Sequence, residues 1–297
     1  MWERIENFFK CLKMLPVLSE YLENGWYVYR ENSFKKIKKL RLVRFPLFYV
    51  WSSAKKKKAT YDYCSIHLGA WSQKNVILFE DKVLSLYRHK DSQKWISNIR
   101  SYLGETTYPA CSYLEIDETK GRIICSKEPG KLAPDTYESI VFFAKEVLKC
   151  NLTAKKYFAH EYSPEIQKRF DLFGIKDVVS YVQHGDCGWR NIIVDADAGY
   201  KFIDFDTIDI FPAFYDLFRL LMDLEEGLQL YYNGFFDAEL SAVLAACGIA
   251  LTTEQKDKYF AAFCLFVEEW TGRVRRDQVP KEYRLTQRVL KEVDFQK

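Results

Sequence analysis

Long apolar runs are missing from this sequence: nowhere do eighteen apolar residues follow one another, so a membrane-spanning helix is not expected. The first ten residues, MWERIENFFK, carry acidic side chains where an export signal would be basic and then apolar, and a cytoplasmic chain is expected. Cysteine is not scarce, but cysteine in pairs is. The eight, Cys11, Cys64, Cys111, Cys125, Cys150, Cys187, Cys247 and Cys264, form no C-x-x-C and have no adjacent His to complete a zinc tetrad, so reduced thiols are expected. There is no internal repeat, and no low-complexity tract beyond a run of four lysines, Lys55 to Lys58. What remains is a globular composition: 297 residues, 48% hydrophobic, enough for one large or two smaller domains.

Charge is small in sum and uneven in place. The net value is +3, yet residues 1–60 hold fourteen Lys and Arg against five Asp and Glu, so the other 237 residues total −6. That split reads as a basic N-terminal extension, residues 1–60, packed on or beside a mildly acidic body. An amphipathic helical start, WERIENFFKCLKMLPVLSEYL, precedes FKKIKKLRLVRFPLFYVW and the lysine run. Clustered cations raise the local potential, and Phe34, Ile37, Leu40 and Phe45 offer apolar side chains to a layer below. Residues 34–58 are therefore expected to allow peripheral contact with an anionic membrane, at the inner face. The plain alternative is a solvated face. Nucleic acid is not expected as a partner, because no nucleic-acid-binding motif accompanies the charge.

Residues 61–128 read as strands: CSIHLGAW, NVILFE and KVLSLYR, then a helical piece, KWISNIRSYL, then SYLEID and GRIICSKE. A small antiparallel sheet with one helix after its third strand is expected. From residue 129 the chain turns helical. DTYESIVFFAKEVLK, SPEIQKRFDLF, PAFYDLFRLLMDLEEGLQLYY, DAELSAVLAAC, EQKDKYFAAFCLFVEEW and RLTQRVLKEV all space apolar residues by three and four. One interruption stands out, where NIIVD and YKFIDFD form a hairpin about the turn Asp195-Ala196-Asp197-Ala198-Gly199.

That hairpin carries the chemistry. It follows HGDCGWRN, residues 184–191, so Asp186 and Asn191 lie in a loop entering one strand and Asp204 ends its partner. Carboxylate and amide oxygens are hard ligands of the kind Mg²⁺ prefers, and a Mg²⁺ site with few protein ligands completes itself with water and substrate phosphates. Two of the three side chains suffice for a cation, which leaves Asp186 to accept a hydroxyl proton or orient the attacking oxygen. Taken singly, each has a plainer role: Asp186 capping a turn, Asn191 bridging loop backbone, Asp204 paired with Arg190 or Arg219.

Three blocks occur in order: His184-Gly185-Asp186 with Asn191, then Ile203-Asp204-Phe205-Asp206, then Pro212-x-x-Tyr215-Asp216-Leu217-x-Arg219-Leu220. Together they resemble the aminoglycoside phosphotransferase and choline kinase family. The resemblance implies an α+β, two-lobed protein-kinase-like fold, with a small antiparallel β-sheet N-lobe (61–128) and a larger, mainly helical C-lobe (129–297). It implies Asp186 as the catalytic residue and Asn191 and Asp204 as Mg²⁺ ligands, with Asp206 a second acid nearby. Asp216 then braces the loop and His184 orients it.

For the nucleotide, ATP, the resemblance points to Ser72 in the loop Gly69–Lys74, to Arg88 as the phosphate cation with Lys90 as fallback, and to Lys127 and Glu128 against adenine. Two departures stand against the family pattern. The loop is not glycine-rich, and the helix KWISNIRSYL has no Glu for the cation, Glu105 lying beyond its end.

The activity implied is transfer of phosphate from ATP to a hydroxyl of a small molecule or sugar, including a glycan or glycolipid precursor. Asp223, Glu225, Glu226, Glu268 and Glu269 are candidates to receive a cationic acceptor. The competing expectation is a pseudokinase-like nucleotide-binding scaffold or regulatory protein. A protein kinase proper is disfavoured, since the stretch between Asp204 and Pro212 is too short to dock a peptide.

Overall fold

The computed structural model describes residues 2–18, 20–22, 25–30, 32–37, 48–52, 61, 63–68, 74–87, 92–158, 162–266 and 278–292. The chain divides into two compact units, Met1–Ser97 with Cys111–Glu128, and Asn98–Ala110 with Pro129–Lys297.

The first unit begins with α1 (Trp2–Leu12) and α2 (Leu15–Leu18). Its strands are β1 (Gly25–Arg30), β2 (Ser33–Ile37), β3 (Phe48–Ser52), β4 (Tyr63–Leu68), β5 (Lys74–Leu78) and β6 (Lys82–Tyr87). After α3 (Ser92–Tyr102), within which the division between units falls, come β7 (Tyr113–Asp117) and β8 (Arg122–Ser126). These strands make one sheet, in the order β3-β1-β2-β4-β5-β6-β8-β7, with every neighbouring pair antiparallel.

Alternation sets the buried face: in β4, Cys64 and Ile66 are buried while Tyr63 and His67 are exposed. Phe8, Cys11 and Leu18 from the two helices join Tyr27, Tyr29, Phe34, Ile77 and Leu84 in the core. The first sixty residues thus supply three strands of the sheet and part of its core. Arg122, only 2% exposed, holds Glu20 at 3.1 Å and Glu115 at 2.6 Å, tying the N-terminal segment to β7 and β8. Leu40, Phe45 and Lys55–Lys58 lie outside the described residues, and Phe34 is fully buried.

The second unit runs through β9 (Lys131–Leu132), α4 (Tyr137–Thr153), α5 (Pro164–Phe173), β10 (Ser180–Gln183), β11 (Ile192–Asp195), β12 (Gly199–Phe202) and β13 (Asp209–Pro212). Helices α6 (Tyr215–Leu221), α7 (Gly227–Tyr232), α8 (Asp237–Ala245), α9 (Thr253–Phe266) and α10 (Arg284–Glu292) follow. Local chemistry sets several ends. Thr136 caps α4 by accepting from the Ser139 amide, Ser163 caps α5 ahead of Pro164, and Gly174 closes α5 at φ +68°. α9 is the central helix: every residue from Tyr259 to Leu265 is buried. An α+β chain with an antiparallel sheet and a mainly helical part is what the motif resemblance implied.

One expected helix is divided. PAFYDLFRLLMDLEEGLQLYY becomes α6 and α7 with a turn at residues 222–226. Gly227 explains the break, because a Cβ there would lie 1.9 Å from the Leu221 carbonyl oxygen, so the start of α7 presses directly on the end of α6.

Candidate active site

The hairpin of β11 and β12 pairs Ile192 with Phe202 and turns at Asp195, whose carboxylate accepts from the amides of Asp197 and Ala198. The Ile203 amide continues the ladder to the Asn191 carbonyl at 2.9 Å, so Asp204 follows directly on Asn191's partner. On the other side, the Asn191 side-chain amide donates to the Asp186 carbonyl at 2.8 Å and to its carboxylate at 3.3 Å. Asn191 therefore joins Asp186 to Ile203, the residue before Asp204. The plainer role expected for Asn191, bridging the loop, is the one these bonds show, and the amide nitrogen fills it.

Asp204 adopts a left-handed conformation (φ 66°, ψ 53°), which lets Phe202 and Phe205 on either side both be buried while Asp204 itself is exposed. The Phe205 ring packs tilted against His184, centroids 4.5 Å apart. His184 is wholly buried: its Nε2 donates to the Ile203 carbonyl at 2.7 Å and its Nδ1 accepts from the Asp186 amide at 3.3 Å. Those partners fix the tautomer and lock loop to hairpin, an orienting geometry. Asp206, in the short 3₁₀ turn after Asp204, is half-buried.

Below the loop is a buried polar network. Asp216, 0% exposed, accepts from the His184 amide at 2.7 Å, the Gly185 amide at 2.9 Å and the Tyr108 hydroxyl at 2.8 Å. Burial raises its carboxyl above the ordinary value, opposed by the His184 ring, the Tyr108 hydroxyl and the two amides. Gln183 accepts from the Asp216 amide and donates to the carbonyls of Phe211 and Pro212, linking β10, β13 and the start of α6. Phe214 enters α6 at φ +71°, a strained conformation for a bulky residue, with its ring buried beside Tyr259.

Arg219 of α6 forms an ion pair with Asp186; the guanidinium side chain is 12% exposed and the carboxylate 50%. Asp186 lies in the loop that α6 underlies, which brings its carboxylate to Arg219.

The residues that could hold a metal here are Asn191, through Oδ1, and Asp204, whose side chain is exposed. Among the described residues no three or more His, Cys, Asp and Glu converge into a metal-binding group. An amide and a carboxylate oxygen are hard donors of the kind Mg²⁺ takes, with water and phosphate completing its shell.

Also within the second unit, a cavity of about 520 Å³ is lined by Asp135, Trp189, Arg190, Asp223, Glu225 and Gln278, with α6 and α7 behind them. The Arg190 guanidinium lies over the Trp189 ring at 5.7 Å, and Gln278 donates to the Glu225 carbonyl at 2.7 Å. Of the acids expected for an acceptor, Asp223 and Glu225 line this cavity. Glu226 is exposed and not among its lining residues; Glu268 and Glu269 lie outside the described residues. Asp135, Trp189 and Gln278 carried no signal in sequence, being separated from one another by dozens of residues. Arg219 did: it is three residues after Asp216 and so faces the same way.

In the first unit, Ser72, Arg88 and Lys90 lie outside the described residues. Lys127 gives its backbone amide to the Asp81 carbonyl at 2.9 Å, so a contact from its backbone to adenine would use the carbonyl. Glu128 accepts from the Ser126 hydroxyl. Glu105 is engaged in the second unit with Lys155, at 3.2 Å, and with the Tyr157 hydroxyl; the Tyr157 bond and then Lys155 lower its carboxyl below the ordinary value.

An Asp-Asn loop backed by a buried carboxylate thus leads into a hairpin that ends at Ile203-Asp204-Phe205-Asp206, on an α+β fold. Residues 161–258 match the family model of the phosphotransferase enzyme family, and this segment contains all three motif blocks. The match supports a phosphotransferase. Several solved structures are similar to the chain. The choline kinase LicA from Streptococcus pneumoniae is 14% identical, with 77% of this chain and 92% of that one covered at a TM-score of 0.46. The aminoglycoside phosphotransferase APH(3'')-Id from Streptomyces rimosus is 15% identical, covering 68% and 92% at 0.44. The macrolide 2'-phosphotransferase MphH from Brachybacterium faecium is 13% identical, covering 79% and 93% at 0.43. Likenesses of this strength assign no residue a role. No curated protein matches the chain in sequence.

Proposed function

We propose that this chain is an ATP- and Mg²⁺-dependent phosphotransferase that moves the γ-phosphate to a hydroxyl of a small molecule or sugar. The observation that carries the proposal is the joint at Asn191, bonded through its side chain to Asp186 and through its carbonyl to Ile203, next to Asp204. Asp186 is half-exposed, so an edge of its carboxylate can meet an acceptor hydroxyl. It aligns that hydroxyl and takes its proton as the oxygen attacks phosphorus. Asn191 and Asp204 would hold Mg²⁺, which when bound offsets charge on the phosphates. Lys127 and Glu128, with Ser72 and Arg88, belong to the nucleotide side of the same proposal.

The acceptor belongs in the cavity beside Trp189. Its carboxylates accept from hydroxyls and attract ammonium groups, and Trp189 presents an apolar face, so a polyhydroxylated acceptor bearing an amine suits the lining. Peripheral contact with an anionic surface through residues 34–58 is the last part of the proposal and rests on the positive excess of the first sixty residues.

The test is a panel of hydroxyl acceptors, from amino sugars and choline to sugar precursors, incubated with ATP and Mg²⁺ and read by mass for phosphate transfer. Asp186→Asn should lower kcat by about 10²–10⁴-fold with little change in the KM for ATP. Undiminished turnover in that variant would remove Asp186 from the chemistry and the proposal with it.

A further inference from the structure

Three charged side chains at one helical face follow the catalytic loop in register. Asp216, Arg219 and Asp223 are spaced i, i+3, i+7 along α6 and the turn that extends it, where the Asp223 amide still donates to the Leu220 carbonyl at 3.1 Å. Asp216 takes the amides of His184 and Gly185, Arg219 takes the carboxylate of Asp186, and the Asp223 carboxylate lies 3.3 Å from where a Cβ on Gly188 would stand. Contacts advance along helix and loop together. Seven helical residues rise about 10 Å, and the four-residue span from position 184 to 188 reaches at most about 14 Å, so the two run alongside without a gap.

The middle contact differs from its neighbours. Asp216 grips backbone and sits in the interior, where loss would be felt in folding. Arg219 grips the side chain that the proposed function assigns to the acceptor hydroxyl. Carboxylates in loops swing about their χ angles unless something fixes them, and an arginine fork fixes orientation as well as charge. The pair is half-exposed at the Asp186 end and 12% exposed at the Arg219 end, so the variants below are followed by melting temperature as well as by turnover.

We infer that Arg219 is a positioning residue for the phosphotransfer step: from α6 it holds the Asp186 carboxylate with one edge toward the acceptor hydroxyl. This rests on Asp186 being the catalytic group. Arg219→Met should fold and bind ATP with unchanged KM while kcat falls by about 10²-fold, the scale of a misplacement near 1 Å. Arg219→Lys should recover part of that loss, and added guanidinium ion should recover part of it in Arg219→Ala.

The deciding measurement is a double-mutant cycle with Asp186→Asn, scored on kcat with the nucleotide KM and melting temperature followed alongside. In the Asp186→Asn background, Arg219→Met should cost nothing more. A wild-type kcat in Arg219→Met, or a full further loss in the double variant, overturns the inference while leaving the proposed function in place. Wild-type turnover in Asp186→Asn alone overturns the proposed function, and the role of Arg219 falls with it. Should Arg219→Met fail to fold, Arg219→Lys carries the test, with a wild-type kcat again counting against.

Discussion

Gly185 stands at φ +83°, and a Cβ there would lie 2.4 Å from the Thr207 carbonyl oxygen and 2.8 Å from the Phe211 ring. The Phe211 ring is stacked on Tyr215 at 4.2 Å, so it has little room to withdraw, and the carbonyl belongs to backbone. Gly185→Ala therefore meets both a conformational cost and an overpacked wall. It should lose about 2–5 kcal/mol of stability, measured as a shift in the urea midpoint. The same loop holds Cys187, 1% exposed, whose thiol burial pushes well above the ordinary range, so this side chain is packing and not a nucleophile. His184, Gly185, Asp186 and Asn191 were legible in sequence because they sit within eight residues and act through one another. Tyr108 and Gln183, which complete the network under the loop, were not. A buried tyrosine or glutamine looks like any other until its partner, Asp216, is brought to it by the fold.

Between β7 and β8, Asp117 closes the turn by accepting from the Thr119 hydroxyl at 2.7 Å and the Lys120 amide at 3.0 Å, with Gly121 beyond at φ +60°. Those two bonds, the Thr119 hydroxyl first, lower the Asp117 carboxyl to about 2. A carboxyl held below its unfolded value stabilises the fold fully above about 4 and loses that contribution as pH falls through about 2. Asp117→Asn keeps the turn-forming oxygen and drops the charge. The wild-type urea midpoint should exceed that of the variant near pH 6, and the gap should close between about pH 4 and pH 2; a constant gap would refute the charge as its cause. This hairpin was legible as a turn because Glu-Thr-Lys-Gly is local chemistry. The long helices were legible for a similar reason, their apolar period running over ten residues or more. β9, β10 and β13, two to four residues each, are too short to show a period, and they are specified instead by what they pair with. The division of α6 from α7 was hidden because its cause is one glycine meeting a carbonyl six residues earlier.

At the scale of the whole chain, the first sixty residues have two tasks that the sequence alone did not separate. They supply β1 to β3 and core residues such as Tyr27, Tyr29 and Phe34 to the first unit, and they carry nine more positive than negative charges. Deleting them would take strands out of the sheet, so a truncated chain tests folding before it tests membrane contact. Phe34, being buried, is not an anchor for lipid. Charge leaves a signature that burial does not. The intact chain should float with vesicles containing anionic lipid and not with neutral ones, and raising ionic strength from about 0.1 M to about 1 M, which shortens the screening length from about 10 Å to about 3 Å, should release it. A lysine near such a surface contributes about 1 kcal/mol, so replacing all four of Lys55 to Lys58 by Ala should weaken binding by up to about 10³-fold. Transfer to a soluble acceptor should stay unchanged in that variant, since none of the four lysines is assigned to the acceptor, the metal or the nucleotide. Flotation that is equal on neutral and anionic vesicles, or indifferent to the four lysines, would leave the basic segment as an ordinary solvated surface.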